Sequence, residues 1–138
     1  MVIKGFTLLE LVIVIIIIGI LATLGIQQYI PARERALEQE AVSNLQLIRQ
    51  AERIYRMEMG TYYPANGRED NINNINNALK LSLNENNWDY YIDGGQNTFT
   101  AYAERRGEGG YLDCRYSINQ TQDKPIRVSA PGTCAYIP

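Results

Sequence analysis

From Phe6 to Ile26 the chain is apolar except for Thr7, Glu10 and Thr23. As an α-helix this run is about 31 Å long, against roughly 30 Å for the hydrocarbon core of a bilayer. The β-branched residues from Val12 to Ile18 would suit a strand in water. A lone strand in lipid leaves its backbone groups unpaired, so the run predicts a membrane helix. A secretory signal peptide fits less well. Lys4 is the only cation before the run, the run is long for an h-region, and no small-x-small cleavage site follows it. Lys4 predicts a cytoplasmic N-terminus with the remainder exported; Arg33 and Arg35 oppose this weakly.

Glu10 is the one carboxylate in the run, and no basic residue inside the run can pair with it. An ionised side chain in a membrane helix costs at least ~2.5–3.5 kcal/mol, which makes Glu10 a functional candidate. The stretch KGFTLLELVIVIIIIGIL closely resembles the N-terminus of type IV pilins and type II secretion pseudopilins, the class III signal peptide family. The resemblance covers roughly the first 30 residues directly. It implies cleavage between Gly5 and Phe6 by a prepilin peptidase, N-methylation of Phe6 and use of Glu10 in assembly. After such a cut the Phe6 amine of one subunit could pair with Glu10 of the next, since opposite charges attract strongly in low dielectric. Thr7 could hydrogen-bond nearby. Gly19, Ala22 and Gly25 are small enough to let helices approach closely.

Beyond the run, Leu37, Ala41, Leu45, Ile48, Ala51, Tyr55 and Met59 recur at spacings of three and four, which predicts one apolar helix face. Glu38, Glu40, Arg49, Arg53 and Arg56 are expected to stay solvated, and Gly60 to stop the helix. The expectation is one helix from Phe6 to Met59. Gly19, Gly25 and Pro31 are its weak points. The family commonly has a proline just after the apolar run. Here that place holds Gln27 and Pro31 follows one turn later, which leaves the position of any kink or melted stretch open.

Residues 60–71 read as a loop, and 72–83 as a short helix presenting Ile72, Ile75, Leu79 and Leu83. The connection 60–87 is expected to face the surface. Trp88–Asp93, Thr98–Arg105 and Tyr111–Ile118 read as three strands bounded by Gly-rich turns, a small antiparallel meander. One face of that sheet must cover the apolar stripe of the long helix. The fold class is therefore α+β and pilin-like. Its parts are a leader (1–5), a hydrophobic transmembrane or filament-core helix (6–30) and a periplasmic or extracellular globular domain (31–138).

Cys114 and Cys134 are the only cysteines. They read either as two buried thiols or as a bond that pins the tail to the sheet, and export makes oxidation available. A C-terminal disulfide loop is usual in many type IV pilins, so the resemblance implies the bond.

No catalytic cluster, cofactor or metal site is expected. Histidine is absent, GEGG (107–110) lacks the context and lysine of a phosphate loop, and a net charge of −2 gives no reason to expect nucleic acid as the main partner. Major pseudopilins bind Ca²⁺ through a C-terminal acidic loop; Asp89, Asp93 and Asp113 do not form a loop of that spacing and read as solvated surface. The sequence thus predicts a structural subunit of a type IV pilus. Its expected partners are identical or related pilins, the prepilin peptidase and methyltransferase, and inner-membrane assembly machinery. The subunit waits in the bacterial inner membrane and then joins an extracellular filament serving adhesion, motility or secretion. Two alternatives stay open: a type II secretion pseudopilin in a periplasmic pseudopilus, and an uncleaved membrane-anchored binding module.

Overall fold

The computed structural model describes residues 5–106, 111, 113–129 and 134–135, without the side chains of 24–28. The expected GEGG turn, most of the leader and most of the tail after 129 lie outside the described residues. The chain divides into two compact units, Met1–Arg33 and Glu34–Pro138. Helix α1 (Leu8–Met59) contributes to both, starts two residues later than expected, and keeps helical backbone through Pro31. In the first unit Phe6 and every described apolar side chain from Leu8 to Leu21 are exposed.

In the second unit α1 buries Ala41, Leu45, Ile48 and Ala51, as the periodicity predicts. Leu37 and Tyr55 are half-buried and Met59 is exposed. The expectation that the charged residues stay solvated fails at two places: Glu38 is fully buried and Arg49 nearly so. Glu34 and Glu52 are buried as well. The packed stripe runs 34, 38, 41, 45, 48, 52, so helical spacing places three glutamates in it. A carboxylate is tolerated in such a place only where donors meet it. Glu34 has Arg105, Glu38 has the Tyr116 hydroxyl and the Ala135 amide, and Glu52 has the Tyr63 amide. Gly60 ends the helix at φ +80°, a conformation that costs glycine little, with its N–H on the Arg56 carbonyl.

Among the described residues the sheet has five strands, not three, in the order β1–β2–β3–β4–β5 with every neighbour antiparallel. The three expected strands are β2 (Trp88–Gly94), β3 (Phe99–Arg105) and β4 (Arg115–Asn119). The edges are β1 (Gly67–Glu69) and β5 (Ile126–Arg127). β1 has no alternating pattern of its own. It forms because its side chains find partners on β2, where Arg68 grips Asp93 with two hydrogen bonds and lies over the Tyr91 ring. β4 starts later than expected because Cys114 closes a turn onto the Tyr111 carbonyl, so Cys114 precedes the strand instead of lying on it.

Alternation along β2 and β3 sends Trp88, Tyr90, Ile92, Phe99, Ala101 and Ala103 inward, and these share one core with the α1 stripe, Tyr116 and Ile118. The 60–87 connection is not merely surface-facing: it buries Tyr62, Ile75, Leu79 and Leu83. Its helix α2 (Ile72–Leu79) is shorter than the expected 72–83. Asn71 caps its start and Lys80, in the left-handed region, ends it. Gly94 lets β2 pass the 62–64 turn, since a Cβ there would lie 2.0 Å from the Pro64 carbonyl oxygen.

Candidate assembly site

At the start of α1, Thr7 and Glu10 bond each other reciprocally. The Thr7 amide and hydroxyl both donate to Glu10 Oε2, at 3.0 and 2.8 Å, and the Glu10 amide donates to Thr7 Oγ1 at 3.3 Å. This is a capping box, in which two orphan donors of the first helical turn are satisfied by side chains. The spacing T-x-x-E at 7–10 carries that signal in the sequence, where Thr7 alone reads as no more than a neighbour of Glu10. Gly5 and Phe6, the expected cleavage junction, are exposed just before the cap. Thr23, the other polar residue of the run, satisfies its hydroxyl on the Ile20 carbonyl. The site therefore presents an exposed junction, an apolar helix surface, and one carboxylate held by its own helix end.

Three carboxylates hold the second unit. Glu34 takes Arg105 side-on through Nε and Nη2, and that guanidinium also lies 5.8 Å from the Trp88 ring centre. Glu38 accepts from the Tyr116 hydroxyl at 2.9 Å and from the Ala135 amide. Cys114 and Cys134 are bonded, so the tail is held twice beside Glu38. Glu38 and the two sulfurs lie within 4.8 Å of one another, the only metal-like grouping among the described residues. With both sulfurs in the bond, that grouping offers a single carboxylate. Glu52 accepts from the Tyr63 amide through Oε2, while buried Oε1 has no hydrogen-bond partner among the described residues. Burial pushes its pKa up to about 8.

Of the aspartates considered for a cation, Asp93 is held by Arg68, whose hydrogen bonds lower its pKa, and Asp89 pairs with Arg106. Asp113 is exposed.

These parts define a class: a chain joining an apolar, capped helix start to a small α+β unit stapled at its end. The model of the prokaryotic N-terminal methylation motif matches residues 1–26. Type II secretion system core protein G of Escherichia coli K12 is 32% identical over 87 residues, 63% of this chain and 60% of that protein. The same-named protein of Aeromonas hydrophila is 40% identical over 59 residues, 43% of this chain and 41% of that protein. The type IV major pilin protein PilA of Myxococcus xanthus is 41% identical over 59 residues, 43% of this chain and 27% of that protein. The chain thus spans less than two thirds of the length of each of these relatives. No solved structure matches it.

With the motif and these relatives, the chain is similar, most closely along its N-terminal helix, to type IV pilins and type II secretion pseudopilins. Among the described residues no helix is long and apolar enough to cross a membrane; along the apolar run, side chains are described without a break only as far as Thr23.

Proposed function

We propose that the chain is a pseudopilin, a subunit of a periplasmic filament of the type II secretion kind. One observation carries this reading over the surface pilus favoured by the sequence. The likeness to core protein G extends over 87 residues, and only 59 residues of the chain lie at or before Met59, so the likeness reaches past the shared helix into the domain. The proposed cycle begins with the apolar run spanning the inner membrane and its N-terminus in the cytoplasm. Cleavage between Gly5 and Phe6 by the prepilin peptidase frees an amine, which is methylated. Glu10 then exchanges its own helix cap for the Phe6 amine of a neighbouring subunit. At about 4 Å and an effective dielectric near 20 such a pair is worth roughly 4 kcal/mol before desolvation is counted, enough to favour one register of docking. Burial of Leu8–Ile26 among neighbouring helices follows.

A second reading, the subunit of a type IV surface pilus, is favoured by the Cys114–Cys134 staple and the likeness to PilA. Intact mass and N-terminal sequencing of sheared and envelope fractions test the choice. Methylated Phe6 confined to the envelope is the expected result. An abundant sheared band beginning with methylated Phe6 would replace the pseudopilus with the pilus, and an intact Met1 would overturn both.

A further inference from the structure

Cys114, Cys134 and Glu38 meet in the core of the unit Glu34–Pro138, although the sequence separates them widely. One ligand-type atom of each lies within 4.8 Å of the other two. Glu38 and Cys114 are fully buried and Cys134 nearly so. While the sulfurs are bonded, the carboxylate faces a finished cross-link. That bond needs an oxidising compartment, so each new chain first passes through a form with two thiols. In that form the same place holds two thiols and a carboxylate.

This is a zinc-type donor set. Zn²⁺ favours four ligands in a tetrahedron, with thiolate sulfur at about 2.3 Å and carboxylate oxygen at about 2.0–2.2 Å. Its ligand atoms then lie roughly 3.6–3.8 Å from one another, inside the 4.8 Å span already present. The sulfurs need only part from bonding contact. Ca²⁺ and Mg²⁺ take oxygen ligands and are poorly served by thiolates. Glu38 is also oriented as metal ligands usually are, by groups outside the ligand set. The Tyr116 hydroxyl donates to Oε2 and the Ala135 amide to Oε1. Those donors offset the one negative charge left when three anionic ligands meet a dication. The Ser129 hydroxyl, 3.3 Å from Cys134 Sγ, stands within reach of the fourth position.

We infer that the reduced chain binds one Zn²⁺-type dication through Cys114 Sγ, Cys134 Sγ and a Glu38 carboxylate oxygen, so that a metal holds the tail on α1 and β4 until the disulfide replaces it. Binding releases the two thiol protons. A disulfide-class oxidant later takes two electrons from the thiolates, leaves as two thiols after taking up two protons, and the ion is freed as the sulfurs bond. The inference goes beyond the filament reading and holds for either kind of filament.

The test uses the full chain in detergent. A phosphine opens the bond, taking oxygen from water to become a phosphine oxide as both sulfurs become thiols. Co²⁺ is the probe, because its thiolate complexes absorb in the near ultraviolet and its tetrahedral complexes in the visible. The reduced chain should bind one Co²⁺ with both absorptions, Zn²⁺ should erase them, and the oxidised chain should show neither. Zn²⁺ should raise the urea midpoint of the reduced chain and leave that of the oxidised chain unchanged. Glu38→Gln should weaken Co²⁺ binding about 100-fold or more. Tyr116→Phe keeps all three ligands but removes an orienting donor, and should weaken it about 10–100-fold. Fluorescence of Trp88, buried in the core, shows that each reduced variant is folded before titration. A folded reduced wild type without the thiolate absorption would overturn the inference, as would two chains per ion. A reduced chain that is unfolded and not refolded by Zn²⁺ would do the same. Wild-type affinity in Glu38→Gln would also overturn it, since the cysteines would then bind unaided. If Glu38→Gln does not fold, Tyr116→Phe decides, and unchanged affinity there overturns the inference. None of these outcomes touches the filament reading.

Discussion

Glu52 gives the sharpest test of the energetics. It is fully buried, one oxygen is bonded to the Tyr63 amide and the other has no hydrogen-bond partner among the described residues. Its pKa rises from 4.5 to about 8, chiefly because burial disfavours the charged form. Between those two values the folded chain holds a proton that the unfolded chain has lost. Stability from this group is therefore fully present below pH 4.5 and declines as pH rises towards 8, by about 1.4 kcal/mol per pH unit. By pH 7 the loss is about 3 kcal/mol.

Glu52→Gln removes the titration but not the shape. Its side-chain oxygen can accept from Tyr63, while its amide would bury an unmatched donor at a cost of about 1–3 kcal/mol. The net change at pH 7 is therefore small, and the diagnostic quantity is the slope. Urea unfolding of the detergent-solubilised chain can be followed by the single tryptophan, Trp88, which is buried in the core. Between pH 5 and 7 the variant should gain about 2–3 kcal/mol on the wild type. A difference between the two that does not change with pH would refute the reasoning, because the carboxylate would then be ionised in both folded and unfolded chains.

Three further outcomes follow from named contacts. Thr7→Ala should cost about 1 kcal/mol of local helix stability, read as faster amide exchange in the first turn of α1, while Glu10→Gln should lower the assembled fraction much more than Thr7→Ala. Replacing both cysteines by serine should lower stability by ~3 kcal/mol, since the bond closes a separation of 20 residues, and thermal melts should fall by roughly 10–20 °C. Gly94→Ala should be strongly destabilising by the same melts, because the added methyl meets the backbone of Pro64, which cannot swing aside as a side chain can.

The legible features carry their own period. The apolar run, the helix through Met59, and strands β2 and β3 can be read because their side chains repeat every three to four residues or every two. Strands β1 and β5 cannot, because only pairing with a neighbour makes them strands. The burial of Glu38 is hidden for a similar reason: its donors, Tyr116 and Ala135, lie 78 and 97 residues away. A glutamate at a core spacing reads as solvated until those partners are known. At the candidate assembly site Glu10 stands out by charge alone, whereas the Thr7 cap is carried only by the T-x-x-E spacing. The burial of Arg49 has no sequence signal either, since Asp123, which accepts its hydrogen bond, lies 74 residues away.

The three buried glutamates also bear on how α1 finds its place on the sheet. Ala41, Leu45, Ile48 and Ala51 are apolar and of moderate size, and apolar packing alone discriminates weakly between neighbouring registers. Glu34, Glu38 and Glu52 each bind a different segment: the end of β3, the β4 and tail region, and the turn at 63. A slip by one helical turn would leave all three without those donors. The hypothesis is that the acids supply specificity more than net stability. Glu34 and Arg105 test it. Either Glu34→Leu or Arg105→Met alone should cost about 3–5 kcal/mol, because an uncompensated charge stays buried. The double replacement should recover most of that loss but not exceed the wild type, since Arg105 also serves the Asn87 carbonyl. Its amide spectrum should show broadened or doubled signals along residues 34–48 as the helix samples other registers. A double variant with a single sharp set of signals and wild-type stability would show that the apolar stripe fixes the register unaided.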